Sequence, residues 1–336
     1  MMRAITDLRL DELTSGNVVM RRCLQLAYFA ARSDAPVLIL GRTGTGKTLL
    51  AHAIHNSSPR AKGPFVSFNA SAMSDTLLES ELFGHERGAF TGALRAHRGK
   101  FEIAHSGTLF LDEIADMSAL AQAKILRAVE YGEFERVGGE RIYRSNARII
   151  SATNSSLRDR IVAGKFREDL YHRLDGLVLL IPPLRDRPED LPSLIAVELE
   201  AAAAEMGKAI TSIHPAAMDM LLRHDWPGNL RELYHTMRSV VLFCEGKVVR
   251  PEHITFHCDL APETLNGDGH LTRPEPPPLT DLSLGVAVRE HVRRVYEISN
   301  RNQREAARLL GISRGKLARH LHRAASNQSV VTHSRE

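Results

Sequence analysis

Along the first half of the chain, short apolar runs alternate with stretches in which apolar residues recur every three to four positions. The runs 36–40, 65–68, 109–111, 148–152 and 177–181 lack the polar alternation of half-exposed strands. They predict strands buried on both faces of a parallel sheet. Segments 48–55, 74–83 and 119–130 between them read as amphipathic helices. Together these predict an α/β domain of three layers. From about Glu189 the strand pattern stops and the chain reads as helical to Phe256, which predicts a small helical lid. Prolines at 262, 274, 276, 277 and 278, with several glycines, mark a linker, and a last helical unit follows. The predicted boundaries are a short extension 1–14, an α/β core 15–187, a lid 188–258, a linker 259–285, a small all-α domain 286–325 and a polar tail 326–336.

Bulk composition changes this picture little. With 336 residues, 43% hydrophobic and 25% charged, the chain has the composition of ordinary globular domains. No apolar run approaches the length that spans a bilayer and the N-terminus lacks a secretory pattern, so a cytoplasmic protein without a membrane partner is expected. Cys23, Cys244 and Cys258 are far apart and read as reduced thiols. Charge is informative. The net value is only +4, yet residues 285–336 hold eleven Arg/Lys against four Asp/Glu, while the rest of the chain is slightly acidic. Basic charge gathered in one terminal segment points to nucleic acid, although a solvated helix face gives the same count.

Candidate chemistry begins at Gly41-Arg42-Thr43-Gly44-Thr45-Gly46-Lys47-Thr48, a phosphate-binding loop pattern directly after the run Val37-Leu38-Ile39-Leu40. Glycines let backbone N–H groups converge on phosphate oxygens, and the following helix N-terminus favours the anion. Lys47 is expected to reach the β- and γ-phosphates of ATP, and the Thr48 hydroxyl to help hold Mg²⁺. Asp112 and Glu113 end another apolar run. Alone, such a pair is more often a solvated turn or a cap. Beside a phosphate loop, Asp112 is placed to organise Mg²⁺ and Glu113 to orient or deprotonate the attacking water. Between these halves lies Gly88-Ala89-Phe90-Thr91-Gly92-Ala93, an aromatic and a threonine flanked by glycines, better suited to a mobile loop than to a core. The sixteen histidines form no ligand set; His52/His55 and His320/His322 have no carboxylate or cysteine at suitable spacing.

In this order, Ser80-Glu81-Leu82-Phe83-Gly84-His85-Glu86, residues 88–93, 107–114, Phe134-Glu135-Arg136-Val137-Gly138-Gly139 and Trp226-Pro227-Gly228-Asn229-Leu230-Arg231-Glu232-Leu233 resemble the AAA+ domain of the sigma-54-dependent transcriptional activators. The similarity runs from about 15 to 257 and resumes in the basic terminal unit. The resemblance implies an AAA+ P-loop NTPase core with a helical lid, followed by a Fis-type helix-turn-helix. It implies that Gly88, Ala89, Phe90, Thr91, Gly92 and Ala93 contact sigma-54, with Phe90 and Thr91 at the tip. Asn69 matches the switch residue that pairs with the catalytic glutamate, Thr153 and Asn154 the sensor I position, and Arg231 the sensor II arginine. Arg167 and Arg173 match the fingers that enter a neighbouring subunit's ATP site, implying a ring, a hexamer in the family. On residue types alone the two arginines read as surface ion pairs with Glu168 and Asp169.

In the terminal unit, 303–310 and 314–323 read as two helices joined by Gly311-Ile312-Ser313. Arg314, Lys316, Arg319, His320 and Arg323 are then available to double-stranded DNA at an upstream, enhancer-like site, with a bare helical dimerisation module as the alternative. Two departures from the family are Arg42, where glutamate is usual, and Ala70, where cysteine is usual. Some 34 residues precede the first strand, which leaves no room for a receiver or sensing domain, so control is expected from a protein acting in trans, from expression level, or not at all. Two competing functions stay open on sequence alone: a repressor whose ATPase core only oligomerises, and a general AAA+ remodeller or helicase loader.

Overall fold

The computed structural model describes residues 7–71, 73–256 and 302–303. The chain divides into two compact units, Met1–Leu260 and Ala261–Glu336, and the elements below belong to the first. The expected helix-turn-helix, with Arg314, Lys316, Arg319, His320 and Arg323, lies outside the described residues.

The order is α1 (Val18–Ala31), β1 (Val37–Leu40), α2 (Lys47–Asn56), β2 (Phe65–Asn69), α3 (Asp75–Phe83), β3 (Gly84–His85), β4 (His97–Arg98), α4 (Lys100–Ile103) and β5 (Thr108–Asp112). It continues through α5 (Ala119–Tyr131), β6 (Glu133–Glu135), β7 (Ile142–Arg144), β8 (Arg148–Thr153), α6 (Leu157–Val162), α7 (Glu168–Leu174) and β9 (Leu177–Leu180). The lid holds α8 (Leu191–Glu205), β10 (Ser212–Ile213), α9 (Pro215–Arg223), α10 (Asn229–Phe243) and β11 (Val248–Val249).

Every strand read from the apolar runs lands within a residue of its expected bounds, in one parallel sheet of order β2-β5-β8-β1-β9. The alternation of a strand explains why the runs are apolar throughout. Val37 and Ile39 face α1 and α2 with Phe110 and Ile150, while Leu38, Leu109 and Leu111 face α3, α5 and α7. Both faces are covered, so no position in these strands has to be polar. This is the three-layer α/β arrangement the pattern implies. The lid packs its own core around Trp226, Leu199, Leu233 and Val240.

Three small ladders were not legible in the apolar pattern: antiparallel β3–β4 and β6–β7, and parallel β10–β11 inside the lid. Each has only two or three residues per strand, too few for a period to register. Among the described residues, no helix is long and apolar enough to cross a membrane.

Candidate nucleotide site and the 88–93 loop

The parallel sheet delivers the carboxyl ends of β1, β5 and β8 to one edge, the place where open α/β sheets hold ligands. The loop after β1 turns at Gly44 (φ 78°) and Gly46 (φ 101°), and Gly46 enters α2 without a side-chain cap. Gly44 cannot carry a side chain, because a Cβ there would lie 2.3 Å from the Gly228 carbonyl oxygen. The lysine folds back into the loop: Lys47 is 6% exposed, and its Nζ donates to the Gly41 carbonyl at 3.1 Å and meets Glu113 Oε1 at 3.3 Å. A glycine cradle, an uncapped helix N-terminus and an inward ammonium fit a polyphosphate.

Glu113 stands just past β5 in the left-handed region, φ 51°, an uncommon conformation for this side chain. Its Oε2 accepts the Asn154 backbone N–H at 3.0 Å, and Asn154 Nδ2 donates to Thr43 Oγ1 at 3.0 Å. Lysine, glutamate and asparagine from three strand ends are thereby linked around the loop. Asp112 is half-buried and accepts the Glu113 N–H at 3.0 Å. Burial, then the neighbouring Glu113 charge, pushes its carboxyl above the usual range, while Lys47 pulls it back. Thr48 follows Lys47 in the first turn of α2 and is exposed. Hydroxyl and carboxylate oxygens form the donor set that a hard cation such as Mg²⁺ takes.

Other expected residues fall differently. Thr153 is 1% exposed inside the sheet, with its Oγ1 accepting the Ser155 N–H and its carbonyl accepting the Gly41 N–H, so of the two residues at the expected sensor I position it is Asn154 that faces the loop. Asn69 pairs with Asp112 across the β2–β5 ladder, but its Oδ1 accepts from the Ser71 N–H and hydroxyl rather than meeting Glu113. An Asx-type turn at the end of β2 holds it there. Arg231, on the first turn of α10, lines a cavity of about 610 Å³ with Thr43, Gly228, Glu232 and Arg238. Thr45 turns its hydroxyl onto the Arg42 carbonyl at 2.8 Å, and Arg42 itself is exposed.

Arg167 and Arg173 lie on the surface at α7. Arg167 chelates Asp169 at 3.0 and 2.6 Å, as the residue types imply. Arg173 instead pairs with Glu130 of α5, because Asp169 is already occupied and Glu168 stands five positions away, off its helical face.

The loop 88–93 closes on itself through Gly88 N–H to Ala93 O at 2.8 Å and Ala93 N–H to Phe90 O at 3.0 Å. Gly88 (φ 85°) and Gly92 (φ 104°) make that turn in open space. The exposed Phe-Thr pair expected of a mobile loop is corrected in part. Thr91 is exposed, but the turn folds Phe90 back to half-buried, edge-on to His85 with ring centroids 4.9 Å apart. His85 is held by Ser80 Oγ at 2.7 Å. The base of the loop is tied to the β6–β7 hairpin: Arg136 bonds Glu86 at 3.0 Å and Glu102 at 2.9 Å, and Tyr143 donates to Glu86 at 3.1 Å.

Two residues here carry no role in the sequence reading. Asn229 is 2% exposed at φ 54°; its Nδ2 donates to the Thr43 carbonyl at 2.9 Å and its Oδ1 accepts the Leu184 N–H at 2.8 Å. Arg187 is 4% exposed and its Nη2 donates to the Thr45 carbonyl at 3.3 Å. A Gly-Asn pair opening a helix was the available signal for the first. Nothing local marks the second.

Gly44→Ala is expected to lower the thermal unfolding midpoint of the protein. The left-handed backbone alone costs about 1–2 kcal/mol, and the new methyl must push the lid off Gly228 O. Differential scanning calorimetry checks this, and an unchanged midpoint would mean that the lid does not rest on Gly44.

The family description "Sigma-54 interaction domain" matches residues 13–180, and "AAA+ ATPase lid domain" matches 185–267. The chain is 44% identical over 303 residues to the Nif-specific regulatory protein of Azotobacter vinelandii, covering 89% of this chain and 56% of that one. It is 40% identical over 306 residues to the transcriptional regulatory protein ZraR of Klebsiella oxytoca, covering 90% and 67%. Among solved structures, NtrX from Brucella abortus in complex with ATP superposes with a TM-score of 0.69 at 33% identity, over 93% of this chain and 68% of that one. The chain thus spans little more than half the length of the A. vinelandii relative.

Proposed function

The chain belongs to the sigma-54-dependent transcriptional activators, and from that premise we propose that it is an ATPase that remodels the sigma-54 RNA polymerase closed complex into the open complex. The observation that carries this reading is the convergence of Lys47, Glu113 and Asn154 on one loop, in a chain whose residues 13–180, the 88–93 loop included, match the sigma-54 interaction domain. Lys47 binds the β- and γ-phosphates of ATP, with the N–H groups of the glycine loop. Thr48 and Asp112 would hold Mg²⁺, which when bound would neutralise phosphate charge. Glu113 orients the water and takes its proton, and Asn154 fixes the carboxylate from its other oxygen. Asn69 leaves Ser71 for Glu113 in one nucleotide state. That exchange displaces the entry to α3, which runs directly into β3 and the loop. Phe90 and Thr91 are the part that meets sigma-54.

In this reading the molecule is a cytoplasmic homo-oligomeric ring, a hexamer, tethered to upstream double-stranded DNA by Arg314, Lys316, Arg319, His320 and Arg323. Arg167 and Arg173 of one copy reach the ATP site of the next, and Arg231 reaches it from the lid. Their exposed ion pairs with Asp169 and Glu130 are screened by water and readily exchanged. Transcription from a sigma-54 promoter by the purified chain and holoenzyme, dependent on ATP hydrolysis, tests the function; hydrolysis without transcription overturns it.

The ring makes its own prediction. Specific ATPase activity is expected to rise with protein concentration, and Arg173→Ala to remove about 10³-fold or more of it at every concentration. Steady-state phosphate release across a dilution series checks both. A concentration-independent rate would contradict a site shared between copies.

A further inference from the structure

A phosphate loop aims its N–H groups at the anion, so its carbonyls point outward. Here three consecutive outward carbonyls are each taken by a donor from the lid or from the segment leading into it. Thr43 O accepts Asn229 Nδ2 at 2.9 Å, Gly44 O accepts the Leu230 N–H at 3.0 Å, and Thr45 O accepts Arg187 Nη2 at 3.3 Å. The same peptide units carry the N–H groups of Gly44, Thr45 and Gly46, of which the Thr45 N–H donates to the Arg42 carbonyl at 3.3 Å. A donor on the carbonyl polarises the N–H of its own peptide and makes it a stronger anion ligand.

Each side chain is built for the position. Asparagine is among the few non-glycine residues that tolerate the left-handed backbone. It is also short, planar and furnished with one acceptor and one donor group. Asn229 uses both, gripping Leu184 N–H at the lid entry with Oδ1 and the phosphate loop with Nδ2. Arg187 is buried with its Nε unpartnered, and burial lowers its basicity against the opposing pull of Asp190. Asp190 is in turn held by Ser15 Oγ at 2.6 Å and the Gly16 N–H at 2.7 Å, so the segment before α1 is fastened to the same point.

We propose that Asn229 and Arg187, with the Leu230 backbone, clamp the outer carbonyls of the phosphate loop and are positioning residues for nucleotide binding. The inference rests on the reading of this loop as an ATP site and goes beyond it. The clamp sets the lid angle, and with it the place of Arg231, from the loop backbone rather than from the nucleotide. Coupling of this kind is reciprocal: nucleotide that orders the loop tightens the lid, and a lid pulled away weakens nucleotide.

Asn229→Asp is nearly isosteric, keeps the acceptor for Leu184, and sets an oxygen against Thr43 O. As an ionised carboxylate it repels that carbonyl; once protonated it donates to it again. Position 229 is 2% exposed, and burial raises the pKa of a carboxyl placed there, so titrations of a fluorescent ADP analogue at intervals from pH 6 to 9 are expected to show affinity about tenfold below wild type at the alkaline end, recovering as pH falls. The kcat for ATP is expected to hold while KM rises. Arg187→Met, which loses one donor without gaining an ionisable group, is expected to weaken binding at all pH values and so guards against misfolding of the first variant. Hydrogen exchange on nucleotide-free protein supplies a readout independent of activity: Leu230 N–H loses protection in Asn229→Asp at high pH, while Leu184 N–H keeps it. Wild-type affinity for both variants, or exchange unchanged at Leu230, overturns the clamp. Wild-type protein that fails to bind the analogue would instead overturn the ATP reading, with the exchange result still reporting on the clamp.

Discussion

Glu113→Gln is expected to lower ATP hydrolysis by about 10²–10⁴-fold while nucleotide still binds. Glutamine keeps an oxygen for the Asn154 N–H, which Glu113 now accepts at 3.0 Å, so the side chain stays in place. It loses the capacity to take a proton from water. It also removes the carboxylate 3.3 Å from Lys47, which frees the ammonium for phosphate. Binding is therefore expected to be unchanged or tighter, and the defect to lie in kcat. Phosphate release under single-turnover conditions, beside a nucleotide titration, separates the two. Hydrolysis at the wild-type rate would assign the base to another group. Loss of binding would mean that Glu113 holds the loop together rather than acting on water.

How far the sequence reveals this site depends on which partner each residue uses. Lys47, Asp112 and Glu113 are legible because their neighbours in sequence impose the context, a buried strand leading into a turn. The five central strands are legible because burial on both faces makes 37–40 or 109–111 wholly apolar. What Asn229 and Arg187 do at the phosphate loop is not legible, because the carbonyls they take there lie more than 140 residues away and a carbonyl leaves no mark in composition. Side-chain exchange is equally hidden: Arg173 takes Glu130 from another helix, and Asn69 closes a local turn on Ser71 instead of reaching Glu113. The half-buried posture of Phe90 depends on a loop closure between Gly88 and Ala93 that the glycines alone do not foretell.

Phe90→Ala is expected to reduce sigma-54-dependent transcription by about two orders of magnitude, as for an aromatic anchor removed from the centre of an interface. ATPase activity is expected to stay within roughly threefold of wild type, because a group that does not touch the reacting atoms leaves kcat largely intact. Phe90 is not in the buried core and its aromatic contact is the edge of His85, a pair worth about 1 kcal/mol. The fold is thus expected to survive. Equal loss of hydrolysis and transcription would contradict a separate role for the loop.

The central claim is that hydrolysis at Lys47, Asp112 and Glu113 drives the 88–93 loop against sigma-54. It is tested most directly by ATP-dependent opening of a sigma-54 promoter carrying 2-aminopurine, with wild-type, Glu113→Gln and Phe90→Ala proteins compared under identical conditions. The expected result is opening by wild type alone, with Phe90→Ala still consuming ATP and Glu113→Gln still binding it. Opening by the Phe90→Ala protein, or by Glu113→Gln without hydrolysis, would contradict it.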